Sequence, residues 1–234
     1  MRERNVLKKY DFLWIVVLAG IIAFLIVPAT HRVFVTLSAA HPYLMAFAKF
    51  LILASMGELL AIRITGGAWK IPVGMAYRAV IWGLIGMLIV IVFEFFSSGV
   101  VSAMKKGLLP AFGAGFGHDL AFAFFTSAFM NCLFAPTFMA AHRITDTFID
   151  LGKGRLGAIV KVPLAEVVGK IDWVGYVGFV VRKTIPIFWI PAHTVTFLLP
   201  PEYRVLAAAF LSLALGGILA FAKRKAAKTK DAPL

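Results

Sequence analysis

The side chains of this sequence that could do chemistry in an apolar setting are Lys49, Glu58, Arg78, Glu94, Arg182, Lys183 and His193, each set inside a long hydrophobic stretch. A charge in hydrocarbon is costly and normally faces a partner or a water-filled cavity. Counting depth at ~1.5 Å per helical residue puts Glu58 about 9 Å inside its stretch, Arg78 about 10 Å and Arg182 and Lys183 roughly 14 Å inside theirs. Glu58, Arg78, Arg182 and Lys183 would then share the inner half of a membrane, and Lys49, Glu94 and His193 the outer half. The expected pairings are Glu58 with Arg78 or Arg182, and Lys49 with Glu94. One acid against three bases leaves surplus positive charge, which water or an anion would have to accommodate. The competing reading is that Arg78, Arg182 and Lys183 extend their stems to the inner headgroups.

The stretch around Arg182 gives the sharpest local pattern. Arg182, Pro186, Trp189 and His193 fall on one helical face. Pro186 removes a donor from the carbonyl of Arg182, and Pro191 from that of Ile187. Freed carbonyls beside a cationic stripe suit a bent helix lining a hydrated path. They equally suit a kinked helix whose carbonyls are met by Thr194, Thr196 or a neighbour. His193 could tune the outer mouth with pH. Pro136 marks a third bend, after Thr126, Ser127 and Asn131, and Asn131 needs an interhelical partner. Ala54, Gly57, Glu58 and Ala61 form a small face for close helix packing, as can Gly83, Gly86, Gly216 and Gly217.

Other chemistries find no support. No Ser/His/Asp set or carboxylate pair stands out, so no catalytic residues and no enzymatic activity are expected. The five histidines are scattered without ligand spacing, so no metal site is expected. The glycine-rich run at 111–118 has no preceding strand and no following Gly-Lys-Ser/Thr, so it is a poor nucleotide loop. No cofactor is implied. The single cysteine, Cys132, cannot form an intrachain disulfide.

The elements that must position these residues are apolar helices. The chain of 234 residues is 61% hydrophobic, with mean hydropathy +0.91. Spans are expected near 12–28, 43–64, 71–97, 119–141, 173–199 and 205–222. Their lack of polar alternation argues for helices rather than barrel strands. The expected fold is therefore all-α, a polytopic transmembrane bundle of about six spans in one membrane domain. The 173–199 stretch, with its two prolines, could be re-entrant. The start is read as an uncleaved first span, since Pro28-Ala29-Thr30 is a poor cleavage site.

Net charge is +13, which topology explains better than nucleic-acid binding. Most Lys and Arg fall on alternate connections, and Arg32, Lys105, Lys106 and Arg204 fall on the opposite side. This places both termini in the cytoplasm. Residues 145–171 form an inner loop, in which Leu164, Val167 and Val168 share one face of an interfacial helix. Residues 223–234 form a basic tail. The expected partners are membrane lipid, with anionic lipid at the inner basic loops, a small solute and, compatibly, further copies of the chain. No internal repeat is evident.

Several of these residues also fit a family pattern. Phe188-Trp189-Ile190-Pro191 and Thr196-Phe197-Leu198-Leu199-Pro200-Pro201-Glu202-Tyr203-Arg204 resemble the Trp-Pro, Asn-Phe and Pro-x-x-Tyr-Arg segment of the 22-kilodalton peroxisomal membrane protein family. Asn131-Cys132-Leu133-Phe134-Ala135-Pro136 is similar to its Asp-Gln…Ala-Pro segment, with Met130 at the Asp and Asn131 at the Gln. Gly57-Glu58 is similar to its Gly-Asp, and Arg78 to an Arg opening the next helix. The likeness covers roughly residues 50–222. Thr196 stands where the family has Asn, Ile190 separates Trp189 from Pro191, the third span lacks Gly-Pro and Trp-Tyr, and the first span is extra. The family and its mitochondrial inner-membrane relatives are associated with small-solute channel behaviour. The resemblance therefore implies a divergent member, in a bacterial inner membrane more than an organelle.

Together these readings lead to the expectation of a passive channel or carrier for small, anionic solutes. Arg78, Arg182 and Lys183 would set charge preference and Glu58 would balance them. The alternative is a structural or interaction protein whose buried charges only stabilise packing.

Overall fold

The computed structural model describes the backbone of residues 2–230 and the side chains of 9–218 and 220. The side chains of Arg2, Arg4, Lys8 and the basic tail 223–234 lie outside the described residues. The described chain is helical throughout, with no strand. Helix α1 spans Arg2–Ile26. Val27 is held extended before Pro28, as the residue preceding a proline prefers. Pro28 then opens α2, Pro28–Ala40, from a position where its missing N–H costs nothing. Pro42 repeats the device at the start of α3, Pro42–Gly66, which Gly67 ends at φ 73°. Helix α4 is Met75–Lys105.

Helices α5, Phe116–Phe129, and α6, Ala135–Leu151, are joined without a break by a π-helical turn, π1, Met130–Phe134. The short helices α7, Leu156–Ile159, α8, Leu164–Lys170, and α9, Trp173–Gly175, follow. Segment π2, Tyr176–Trp189, then runs into α10, Ile190–Leu198. Helix α11 is Pro201–Lys230. Among the described residues, four helical stretches are long and apolar enough to cross a membrane: Lys9–Ile26, Pro42–Gly66, Met75–Lys105 and Phe116–Leu151.

The three expected bends take a specific form. Pro136 is the second residue of α6 after π1, Pro186 lies inside π2 and Pro191 is the second residue of α10. A proline in an α-helix clashes with the carbonyl four residues back. A wider π turn relieves that clash by shifting the hydrogen-bond register, so these bends are under-wound helix rather than breaks. Such π segments recur at functional sites.

The described residues divide into two compact units, one drawn from Met1–Pro72, Ile81–Met87 and Ala209–Leu234, the other from Val73–Val80 and Leu88–Ala208. The first unit is held by close backbone approach. A Cβ on Gly57 would sit 2.9 Å from Leu213 Cα, and one on Gly216 would sit 2.9 Å from the Gly57 carbonyl oxygen. A side chain on Gly83 would enter the Phe47 ring, and one on Gly86 would meet the Ala46 carbonyl. Small residues thus carry helix contact here, as the small face around Gly57 suggests.

In the second unit the 173–198 segment lies antiparallel to α5 and π1. The Tyr176 hydroxyl donates to the Pro136 carbonyl, His193 meets Asn131, and the Arg204 guanidinium lies over the Phe122 ring.

Candidate functional site

The second unit carries three polar features in sequence along α5–π1–α6. At one end, near the start of α4, Arg78 is almost wholly buried. Its Nη1 lies 2.9 Å from Asp146 Oδ1 and its Nη2 lies 2.7 Å from Asp150 Oδ1. Its Nε donates to the Val73 carbonyl at 3.1 Å. His142 lies 3.7 Å from the other oxygen of Asp146. His142, Asp146 and Asp150 are spaced i, i+4, i+8 on α6, so one helical face presents all three. Gly74, at φ 64° beside Ile149, lets the start of α4 approach that face.

The middle feature is a buried polar seam between α5 and α10. The Asn131 amide lies 3.1 Å from His193 Nδ1 through Nδ2 and donates at 2.9 Å to the Ser127 carbonyl. The Ser127 hydroxyl donates across the interface to the Ile190 carbonyl at 2.7 Å. Thr126, Ser127, Asn131, His193 and Thr196 are all buried. Thr126 Oγ1 and Trp189 Nε1 have no hydrogen-bond partner among the described residues. Aromatic rings close around His193: Trp189 stacks on it at 5.1 Å, and Phe93 meets its edge at 5.9 Å. Phe93 in turn packs on Phe197 at 4.9 Å.

At the far end two cavities adjoin at Phe122. One, of about 340 Å³, is lined by Ser97, Ser98, Ser102 and Lys105 among others. The other, of about 480 Å³, is lined by Asp119, Phe197 and Arg204 among others. Arg204 sits between rings, with its guanidinium carbon 5.6 Å from the Phe122 centroid and 5.7 Å from that of Phe197. Its Nε donates to the Leu199 carbonyl at 2.9 Å, and Glu94 and Glu202 are the acids whose charge acts on it.

The residues singled out from sequence are distributed across these features. Arg78 is at the first cluster, where its counter-charges are Asp146 and Asp150. His193 is in the seam, walled by aromatic rings. Arg182 and Lys183 are exposed on π2. Glu58 is half-buried on α3 in the first unit. Lys49 belongs to the same unit, where it donates to Ser38 Oγ at 3.0 Å and lies 4.6 Å from the Phe34 centroid. Glu94 belongs to the second unit, where it accepts from the Ser98 hydroxyl at 2.6 Å.

Asp146, Asp150 and Arg204 escaped the sequence reading as site residues. The i, i+4, i+8 spacing of His142, Asp146 and Asp150 was the available signal for the first two. Arg204 was visible only as one basic residue of an outer connection and one residue of a motif. No family model, no curated protein and no solved structure matches this chain.

Proposed function

We propose that the chain is a six-span integral membrane protein whose second unit is a passive conduit, channel or carrier, for small solutes bearing an anionic group. The observation that carries this is the buried seam of Thr126, Ser127, Asn131, His193 and Thr196, in which Thr126 Oγ1, with Trp189 Nε1 beside it, has no hydrogen-bond partner among the described residues. Hydroxyls and amides buried in an apolar bundle are costly unless satisfied. A permeating solute or its water would satisfy them. The cavities at the Arg204 end and the Arg78 cluster at the other flank the seam, so polar groups recur along the unit. The rings of Phe93, Trp189 and Phe197 narrow it.

Charge preference in this reading belongs to Arg204 and Lys105. The exposed Arg182 and Lys183 extend toward headgroups. The basic loop around Lys153, Arg155, Lys161 and Lys170 faces the anionic lipid of the cytoplasmic leaflet. The antiparallel course of 173–198 beside a crossing helix supports a full crossing rather than a re-entrant one. The segment resembling the 22-kilodalton peroxisomal membrane protein family, Phe188 to Arg204, runs from the end of π2 through α10 to the start of α11 and lines part of the cavity, which favours the small-solute reading.

The test is flux in proteoliposomes made with purified protein, using chloride, acetate and lactate. Uptake above empty vesicles is expected. Thr126→Val keeps the shape of the seam and removes one hydroxyl, and should lower flux about five-fold, the equivalent of one hydrogen bond. Uptake equal to that of empty vesicles would leave the seam as packing and favour a structural role.

A further inference from the structure

The cavity at Arg204 has the chemistry of a binding site. It is roomy, about 480 Å³, far larger than a halide needs. Its lining combines one cation, Arg204, and one anion, Asp119, with apolar side chains that include Phe116, Phe122, Phe197 and Leu198. Arg204 is held in place: rings lie near it at 5.6 and 5.7 Å, and Nε is tied to the Leu199 carbonyl. That bond leaves its Nη atoms for an acceptor, and no ion pair joins Arg204 to Asp119 among the described residues. A guanidinium fork is suited to two-point recognition of a carboxylate or phosphate. The Asp119 carboxylate on the same lining would oppose a simple dianion and attract an ammonium.

We infer that this cavity binds an amphipathic zwitterion, its anionic group on Arg204, its ammonium on Asp119 and its apolar body among the phenyl rings. This names the solute class of the proposed conduit and rests on that reading. The same chemistry occurs in a free apolar α-amino acid and in a phosphatidylethanolamine headgroup.

The test is calorimetric binding to the full chain in detergent, with four probes: L-leucine, 4-methylpentanoate, isoamylamine and dihexanoyl-phosphatidylethanolamine. Binding of leucine at least ten-fold tighter than of the carboxylate or the amine alone is expected, with a ten-fold or greater loss in Asp119→Asn and in Arg204→Gln. If only the short-chain lipid binds and both variants abolish it, the zwitterion site stands and its ligand is a headgroup. Equal binding of leucine and 4-methylpentanoate, or leucine binding indifferent to Asp119→Asn, would overturn the inference. Asp119 is exposed, so its variant reports on binding even if Arg204→Gln fails to fold. Leucine binding without leucine flux in proteoliposomes would reject the conduit and keep the site. Acetate flux without leucine binding would do the reverse.

Discussion

Arg78 shows how burial decides what a charge is for. Its side chain is 7% exposed, against 28% for Asp146 and 59% for Asp150. The cation is therefore the most buried member, although Asp146 Oδ1 is also out of solvent contact. Removing it should leave two acids close together. Breaking a fully buried pair costs about 3–5 kcal/mol. With both acids partly solvated, Arg78→Gln should cost about 2 kcal/mol. Adding Asp146→Asn should recover part of that loss by removing one of the two repelling charges. Reversible unfolding of the purified protein in mixed micelles measures both. A double variant no more stable than Arg78→Gln would show that the pair is not what Arg78 contributes. The position of Arg78 was legible in the sequence, but its partners were not. Charge counting over apolar stretches passes over the aspartates, because they stand where α6 turns polar and resemble a solvated end. Depth along a helix pairs Lys49 with Glu94; within its own unit a hydroxyl and a ring lie beside its ammonium.

At the scale of elements, glycine separates contact from open space. Gly57 of α3 lies against the backbone of α11, so a new Cβ there meets Leu213 Cα at 2.9 Å, and backbone cannot swing aside. Gly99 of α4 has nothing within 4 Å of the equivalent point. Gly57→Ala should therefore destabilise by about 1–3 kcal/mol through overpacking. Gly99→Ala should stabilise by about 0.5–1 kcal/mol, since helical glycine carries an entropy cost. Opposite signs in micellar unfolding check the packing, and equal effects would contradict it. The small face at Gly57 was legible from composition and spacing. Helix α2 was not, although Pro28 and Pro42 each stand at a first helical position. The residues between them include His31, Arg32 and Ser38, and read by polarity as a connection. The bends at Pro136, Pro186 and Pro191 were legible as positions. Their π-helical form was not, because one added residue per turn leaves no mark on an apolar sequence.

At the scale of the molecule the question is how many times the chain crosses. Among the described residues, four stretches qualify by length and hydropathy. The 173–198 segment is divided among α9, π2 and α10, none of them long enough alone. Geometry within the second unit bears on it more directly. Tyr176 is placed at Pro136 and Arg204 at Phe122, so the segment runs antiparallel to α5 and π1, over less than half of Phe116–Leu151. A crossing needs ~20 residues for a core of about 30 Å, and 176–198 supplies them. If Phe116–Leu151 crosses, this segment should return to the starting side. Single cysteines in a Cys132→Ser background would decide it: Gly113 before α5, Gly157 after α6, and Glu202 at the start of α11. With a membrane-impermeant maleimide on intact bacterial cells, positions 113 and 202 should react. Position 157, in the basic loop, should react only after permeabilisation. Labelling of 202 together with 157 would make the segment re-entrant. Because Arg204 packs on Phe122 and shares its cavity with Asp119, at the other end from Arg78, that pattern would contradict the packing itself, and a path between two faces of the membrane could not run through the seam.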